Sequence, residues 1–389
     1  MNIEPIQSAI AAAGIDGWLF FDHHRRDPLA YRILHIPSDV STTRRWYYFI
    51  PAQGEPRKLV HQIEIGTLDS LPGSKAAYSS WADQQQRLQD MLAGAKVIAM
   101  QYSPHCAIPY VSLVDAGTLE LVKSCGAQIV SSANLVQQFE ARWTDAQFQM
   151  HLEAGKRVDQ VRAEAFDMIG ERVRGGEELN EYEVQQFMCM RFAQLGLTAD
   201  HGPTVAVNAN ASDPHYEPSE SRHSPIKKGD SVLIDCWAKL TAPHAVYYDI
   251  AWTGYCGDTA PAEIQNVFEI VRDARKMASS FVIDKIAAGE SIAGYQVDDV
   301  ARGYVTEHGF GDSFFHRTGH SIGEDVHGTG VNMDNLESHD ERRIIPGSCF
   351  SIEPGIYLPA FGIRSEVNVF VSATAAQVTG QQQEKLVLI

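Results

Sequence analysis

Four carboxylates stand inside stretches that otherwise read as buried β-strand, and no other feature restricts the folds open to this chain so tightly. They are Asp235 in 231–238 (SVLIDCWA), Asp249 in 245–254 (AVYYDIAWTG), Glu353 in 349–357 (CFSIEPGIY) and Glu366 in 362–371 (GIRSEVNVFV). Strand alternation puts Asp249 and Thr253 on one face and Tyr248, Ile250 and Trp252 on the other, and it puts Arg364 and Glu366 together on one face. The polar groups therefore converge. A buried carboxylate without a partner is strongly disfavoured, so a fold that gathers four of them needs compensating positive charge. Two divalent cations supply it. With His320 as the one imidazole, such an oxygen-rich shell suits Mn first, with Co or Zn as alternatives. Two cations sharing a water generate hydroxide near neutral pH, which points to metal-assisted hydrolysis.

The rest of the composition fits a large enzyme. A chain of 389 residues that is 44% hydrophobic accommodates two domains with a core each. The net charge of −17 argues against a general affinity for nucleic acid or anionic membrane. The cluster Arg25, Arg26, Arg44 and Arg45 reads as a solvated face or an interdomain contact. The N-terminal stretch carries acids within its apolar pattern and has no basic start, so it reads as a helix and a strand, not a secretory signal. No apolar run reaches membrane-spanning length. The six cysteines show no CxxC pair and suit small buried thiols in a reducing cytoplasm, where the protein is expected. Cys236, next to Asp235, falls on the opposite strand face.

Strand-like runs at 18–21, 46–50, 58–60, 96–100 and 128–130 alternate with helical stretches, an α/β pattern. Thr144 is placed to cap a long amphipathic helix, which sets an N-terminal α/β domain at 1–143 and a second domain at 144–389. The second domain repeats itself. Gly176, Tyr182, Val184 and Gly196 recur 113 residues later as Gly289, Tyr295, Val297 and Gly309. Both copies precede the acid-bearing strands, so two similar halves about a pseudo-twofold axis are expected, with the site between them.

These residues also carry a resemblance. From about Thr144 onward the chain resembles the pita-bread metallopeptidases, the family of methionine aminopeptidase, aminopeptidase P and Xaa-Pro dipeptidase (prolidase). The matching motifs are the Asp pair, 316–327 (HRTGHSIGEDVH), 353–357 (EPGIY) and 362–366 (GIRSE). The resemblance implies a creatinase-like N-terminal domain before a pseudo-twofold pita-bread catalytic domain, in a homodimer. It implies that Asp235 binds one metal, that Asp249 and Glu366 bridge both, and that His320 and Glu353 complete the second. It further marks His215 as a substrate-pocket histidine, His316 and His327 as active-site histidines, and Arg364 as the arginine before the bridging acid.

His316 and His320 have HxxxH spacing, but Thr318, Gly319 and Gly323 disfavour a helix there, so only His320 is expected to ligate. Glu353 is expected to take up and return a proton, and His327 to donate to the developing oxyanion. His215 then helps to hold the residue after the scissile bond, which the resemblance implies is proline. A dipeptidase must also bind a free carboxylate, for which Arg342, Arg343 and Arg364 are candidates. Chain length favours the dipeptidase over an aminopeptidase P acting on longer peptides. A non-catalytic peptide-binding module on the same fold is the reading from another class, and retention of all five ligands argues against it. Three departures from the family pattern stand out. Trp252 replaces an arginine and is expected to face away from the metals beside the retained Thr253. The two Asp are further apart than usual, which implies a longer hairpin. His201 stands where relatives often carry a tyrosine, and is expected to support Asp249 by a hydrogen bond.

Overall fold

The computed structural model describes residues 2–37, 39–40 and 42–389. The chain divides into two compact units, Met1–Glu140 and Ala141–Ile389. Among the described residues no helix is long and apolar enough to cross a membrane.

The first unit is a mixed six-stranded sheet with helices, comprising α1 (Glu4–Ala12), β1 (Gly17–Asp22), α2 (Pro28–Ile33), β2 (Trp46–Pro51), β3 (Arg57–His61), β4 (Ser74–Tyr78), α3 (Trp81–Leu92), β5 (Val97–Met100), α4 (Ala116–Ser124), β6 (Gln128–Ser131) and α5 (Ala133–Glu140). The strand order is β4-β3-β2-β1-β5-β6. All five strands expected from the sequence form. The additional strand, β4, is a half-exposed edge strand (SKAAY) whose polar, Ala-rich sequence has little strand signature. Two cores cover the two faces of the sheet, one built on Trp18, Phe20, Trp46 and Tyr48, the other on Leu19, Tyr47 and Phe49. That split follows the alternation of side chains along β1 and β2.

The second unit opens with α6 (Asp145–Gly175), whose N-terminus is capped by Thr144 in a reciprocal box with Gln147. It continues through α7 (Glu181–Gln194), β7 (Leu197–Thr198), β8 (Thr204–Val207), β9 (Ser231–Leu240) and β10 (Tyr248–Tyr255). The second half runs α8 (Ala262–Ala287), α9 (Gly294–Glu307), β11 (Ser321–Ile322), β12 (Cys349–Ile352), β13 (Gly355–Leu358), β14 (Phe361–Arg364), β15 (Val367–Val371), β16 (Ala376–Thr379) and β17 (Val387–Leu388). Long helix, short helix and antiparallel strands thus occur twice in the same order. The expected repeat is visible in the backbone: Gly176 and Gly289 end the long helices at φ 70° and 73°, and Gly196 and Gly309 follow the short ones at φ 68° and 83°. Only glycine takes that left-handed conformation without strain, which is why the four glycines keep register across the halves. Val184 and Val297 are both fully buried.

The halves meet through their strands. Asp249 N–H donates to Asn368 Oδ1 at 3.0 Å, and Glu366 N–H donates to the Ala251 carbonyl at 3.0 Å. The β9–β10 hairpin is as long as its spacing implied, with 241–247 as its loop.

Candidate metal centre

The antiparallel register of β9 and β10 pairs Asp235 with Ala251 and Trp237 with Asp249. Cross-strand partners share a face, so both Asp side chains point to the same side of the hairpin. Cys236 lies on the other face, in the core beneath α6, with Trp252 packed against it. The Arg162 guanidinium sits 3.5 Å from the centroid of the Trp252 ring. Trp252 therefore faces away from the acids, as its position required. Thr253 donates from Oγ1 to the Arg364 carbonyl at 3.1 Å, so it braces the strand before Glu366 and touches no carboxylate.

Asp249, His320 and Glu366 are buried, and each presents a ligand atom within 4.8 Å of the others. Asp249 Oδ1 and Glu366 Oε1 are buried without a hydrogen-bond partner. His320 Nε2 lies 3.5 Å from Asp249 Oδ2 and 3.4 Å from Glu353 Oε1. Its Nδ1–H donates to the Ser321 carbonyl at 3.2 Å, which leaves the Nε2 lone pair turned to the carboxylates. Burial, reinforced by the charge of Arg317, pushes the His320 pKa down to about 3, so the ring is neutral near pH 7. A lone pair and unpaired carboxylate oxygens facing one another are repulsive unless a cation lies between them. The donor set, oxygen with one imidazole, fits Mn, Co or Zn.

Glu353 completes this side. The Ser351 hydroxyl donates to its Oε1 at 3.2 Å and accepts the His320 backbone N–H at 3.0 Å. Burial pushes the Glu353 pKa up to about 8; Arg364 opposes this, and Asp249 and Asp235 add to it. Asp249 and Glu366 are likewise raised well above the usual carboxylate range, first by burial and then by neighbouring carboxylates. Asp235 stands apart from the orphaned oxygens: its Oδ2 accepts from Arg364 Nη2. Arg364 Nη1 donates to the Tyr357 hydroxyl at 2.8 Å, and Tyr357 is 2.7 Å from His316 Nε2. His316 Nδ1–H donates to the Arg317 carbonyl at 2.7 Å, so Tyr357 is the donor to Nε2 and neither nitrogen is open to a metal. The segment 314–318 is not helical. It is held from α9 instead, by a bidentate Asp298–Arg302 pair that accepts Thr318 N–H at 2.9 Å and donates to the His316 carbonyl at 2.7 Å.

The His327 ring stands edge-on to His320 at 4.4 Å between centroids. Its pKa falls to about 3, chiefly through His320 and then through burial. His215 is exposed, close enough for its charge to act on His327.

Two expectations are corrected. Arg342 is 5% exposed and spent inside its own loop. Its Nε and Nη2 grip Asp340 at 2.9 and 2.6 Å, and Nη1 and Nη2 donate to the carbonyls of Thr329 and Gly330 at 2.7 Å each. It is a strut, not a reader of ligand carboxylates. Arg343 is exposed and donates to the Ser291 carbonyl at 3.3 Å. His201 does not reach Asp249. Its ring is 62% exposed, with Nδ1 3.5 Å from Asp200 Oδ2, because the turn between β7 and β8 directs it outward. Asp200 is the residue from this turn that bears on the centre, since its charge acts on both Asp249 and His327. Nothing in the sequence singled out Asp200. Asn368 was within reach, since it shares a strand face with Glu366.

A twofold-repeated shell of helices around strands that converge on buried acids defines the pita-bread fold of metallopeptidases. The chain belongs to metallopeptidase family M24, whose model matches residues 149–373. It is 32% identical over 163 residues to an Xaa-Pro dipeptidase of Lactobacillus helveticus, covering 42% of this chain and 40% of that one. It is 30% identical over 184 residues to an Xaa-Pro dipeptidase of Pyrococcus furiosus, covering 47% and 48%. The matched stretch thus spans about half the length of these relatives or less. The crystal structure of dipeptidase PepE from Mycobacterium ulcerans superposes with a TM-score of 0.72 at 22% identity, covering 100% of this chain and 96% of that one.

Proposed function

We propose that this chain hydrolyses Xaa-Pro dipeptides with two divalent cations, Mn in first place, held by Asp235, Asp249, His320, Glu353 and Glu366. One observation carries the reading: the Nε2 lone pair of His320 faces buried carboxylates, of which Asp249 Oδ1 and Glu366 Oε1 have no hydrogen-bond partner. Bound there, a cation pair lowers the pKa of water and makes a nucleophile available at neutral pH. Glu353, ionised once cations are held beside it, takes up the proton released and returns it to the leaving amine. His327, edge-on to His320, donates to the oxygen that becomes negative as the carbonyl is attacked. His215 holds the proline side of the substrate. Arg364 orients Asp235 through their ion pair, with Tyr357 and His316 fixing the guanidinium from behind. Arg343, exposed and donating to the Ser291 carbonyl, is the candidate for the carboxylate of a dipeptide.

The segment 144–389 is the catalytic domain in this reading, and the protein works in the cytoplasm as a homodimer. The Xaa-Pro dipeptidase names of the Lactobacillus helveticus and Pyrococcus furiosus relatives support a dipeptide substrate. Hydrolysis of Ala-Pro and Ala-Pro-Ala in Mn buffer tests it. Ala-Pro is expected to be the better substrate, and chelation is expected to abolish turnover, with Mn or Co restoring it. Much faster cleavage of the tripeptide replaces the reading with an aminopeptidase P. Turnover that survives exhaustive chelation removes it.

A further inference from the structure

Beside the acids, on the same face of the β9–β10 hairpin, lies Trp237, the direct cross-strand partner of Asp249. Its ring packs against the apolar cluster that includes Val246, Tyr247 and Val326, the residue before His327. An apolar, aromatic wall therefore runs from the metal centre toward the loop that carries His327. At its end stands Asp200. The Trp237 indole N–H donates to Asp200 Oδ1 at 2.7 Å, and the His201 backbone N–H donates to the same oxygen at 3.1 Å. The carboxylate is thus held in one orientation, yet its side chain remains 47% exposed. Hydrogen bonds from the indole and the backbone outweigh the effect of burial and keep it ionised at neutral pH.

Resting on the dipeptidase reading above, we propose that Trp237 and Asp200 form the subsite for the side chain of the residue before proline, and that this subsite selects a long cationic side chain, lysine or arginine. The chemistry matches over the length of the side chain. The methylene stem lies along the indole, the charged head reaches the fixed carboxylate, and a cation near an indole face gains further attraction. A glutamate in the same place meets Asp200 as a like charge.

The test compares kcat/KM for Lys-Pro, Ala-Pro and Glu-Pro in Mn buffer for wild type, Asp200→Asn and Asp200→Lys. Wild type is expected to rank Lys-Pro above Glu-Pro. Because a partly exposed ion pair is worth up to about fivefold, Asp200→Asn is expected to shrink the Lys/Glu ratio by roughly threefold to fivefold. Asp200→Lys is expected to invert it, and both changes are expected mainly in KM. An unchanged ratio in Asp200→Asn, or a wild type that ranks Glu-Pro first, overturns the proposal and leaves the dipeptidase reading intact. Calorimetry of the same dipeptides with the chelated protein reads the preference without turnover. If wild type cleaves no Xaa-Pro dipeptide but Lys-Pro binds tighter than Glu-Pro in calorimetry, and Asp200→Asn removes the difference, the subsite stands and the dipeptidase reading falls. Equal binding of all three overturns the subsite.

Discussion

At the scale of single residues, charge and burial decide what each ionisable group does. Glu353 has a folded-state pKa of about 8, set first by burial, against about 4.3 for an unperturbed glutamate. A raised value means that the folded chain holds a proton the unfolded chain has lost. The resulting stability is complete below about pH 4 and disappears as pH rises through 8. His316 and His320, depressed to about 3, act in the opposite sense, but only below about pH 6.5. Between pH 7 and 9 the carboxylates therefore govern. The chelated protein is expected to lose on the order of 1 kcal/mol over that interval, a fall of roughly 2 °C in Tm from Glu353 alone. Asp249 and Glu366 deepen the fall. The Mn-loaded protein, whose acids are already ionised, is expected to lose less, because metal binding releases those protons. Thermal melts at both pH values, with and without Mn, check this; a chelated protein that gains stability on going to pH 9 contradicts it. The two neighbouring arginines separate just as cleanly. Arg342→Ala strands Asp340 without its buried partner and is expected to cost about 3–5 kcal/mol. Arg343→Ala, on the exposed side, is expected to stay within about 0.5 kcal/mol in stability and to show itself in the KM for Ala-Pro. Denaturant melts of the two variants distinguish a strut from a binding residue.

At the scale of elements, the site depends on backbones that approach more closely than side chains permit. Gly319, immediately before His320, lies so near β12 that a Cβ there falls 1.9 Å from the Ser351 carbonyl oxygen. Ser351 in turn positions both His320 and Glu353. Gly319→Ala must therefore push the histidine away from the acids. We expect a loss of about 1–3 kcal/mol in stability and a larger loss of metal affinity than of fold. Titration of Mn into the variant, followed by calorimetry beside a melt, measures the two separately, and wild-type Mn affinity contradicts the argument. The HxxxH spacing is the instructive element in sequence terms. On a helix both imidazoles would line one face, but glycine and a β-branched threonine favour extended backbone, and the structure has an irregular segment secured by Asp298 and Arg302. Which partner would secure it was not legible, since α9 precedes the segment and nothing local marks Asp298 as buried.

At the scale of the whole molecule, each of the two compact units has its own strands and its own hydrophobic clusters, with one sheet in the first unit and three in the second among the described residues. A unit with both sheet faces covered satisfies the requirement for folding alone. Residues 1–140 expressed by themselves are therefore expected to unfold cooperatively in urea. A non-cooperative, molten profile would show that this unit depends on the rest of the chain. The second unit is built by duplication, and glycines at the helix ends were enough to reveal it. Left-handed backbone leaves a residue type behind; packing between the halves leaves none.

What the amino-acid order determined by itself follows from local rules. Period-two alternation set Cys236 opposite Asp235 and Trp252 opposite Asp249, each within its own strand, and the capping chemistry of Thr144 marked the start of α6. The motifs around His320, Glu353 and Glu366 named the family. Only the tertiary structure decided where the free ends of long or exposed side chains go. Arg342 turned into its own loop, His201 turned outward, and Asp200 came to rest against Trp237. Those outcomes depend on which distant carbonyl or indole lies within about 3 Å, the reach of a hydrogen bond, and that distance is set by packing between segments far apart in the chain.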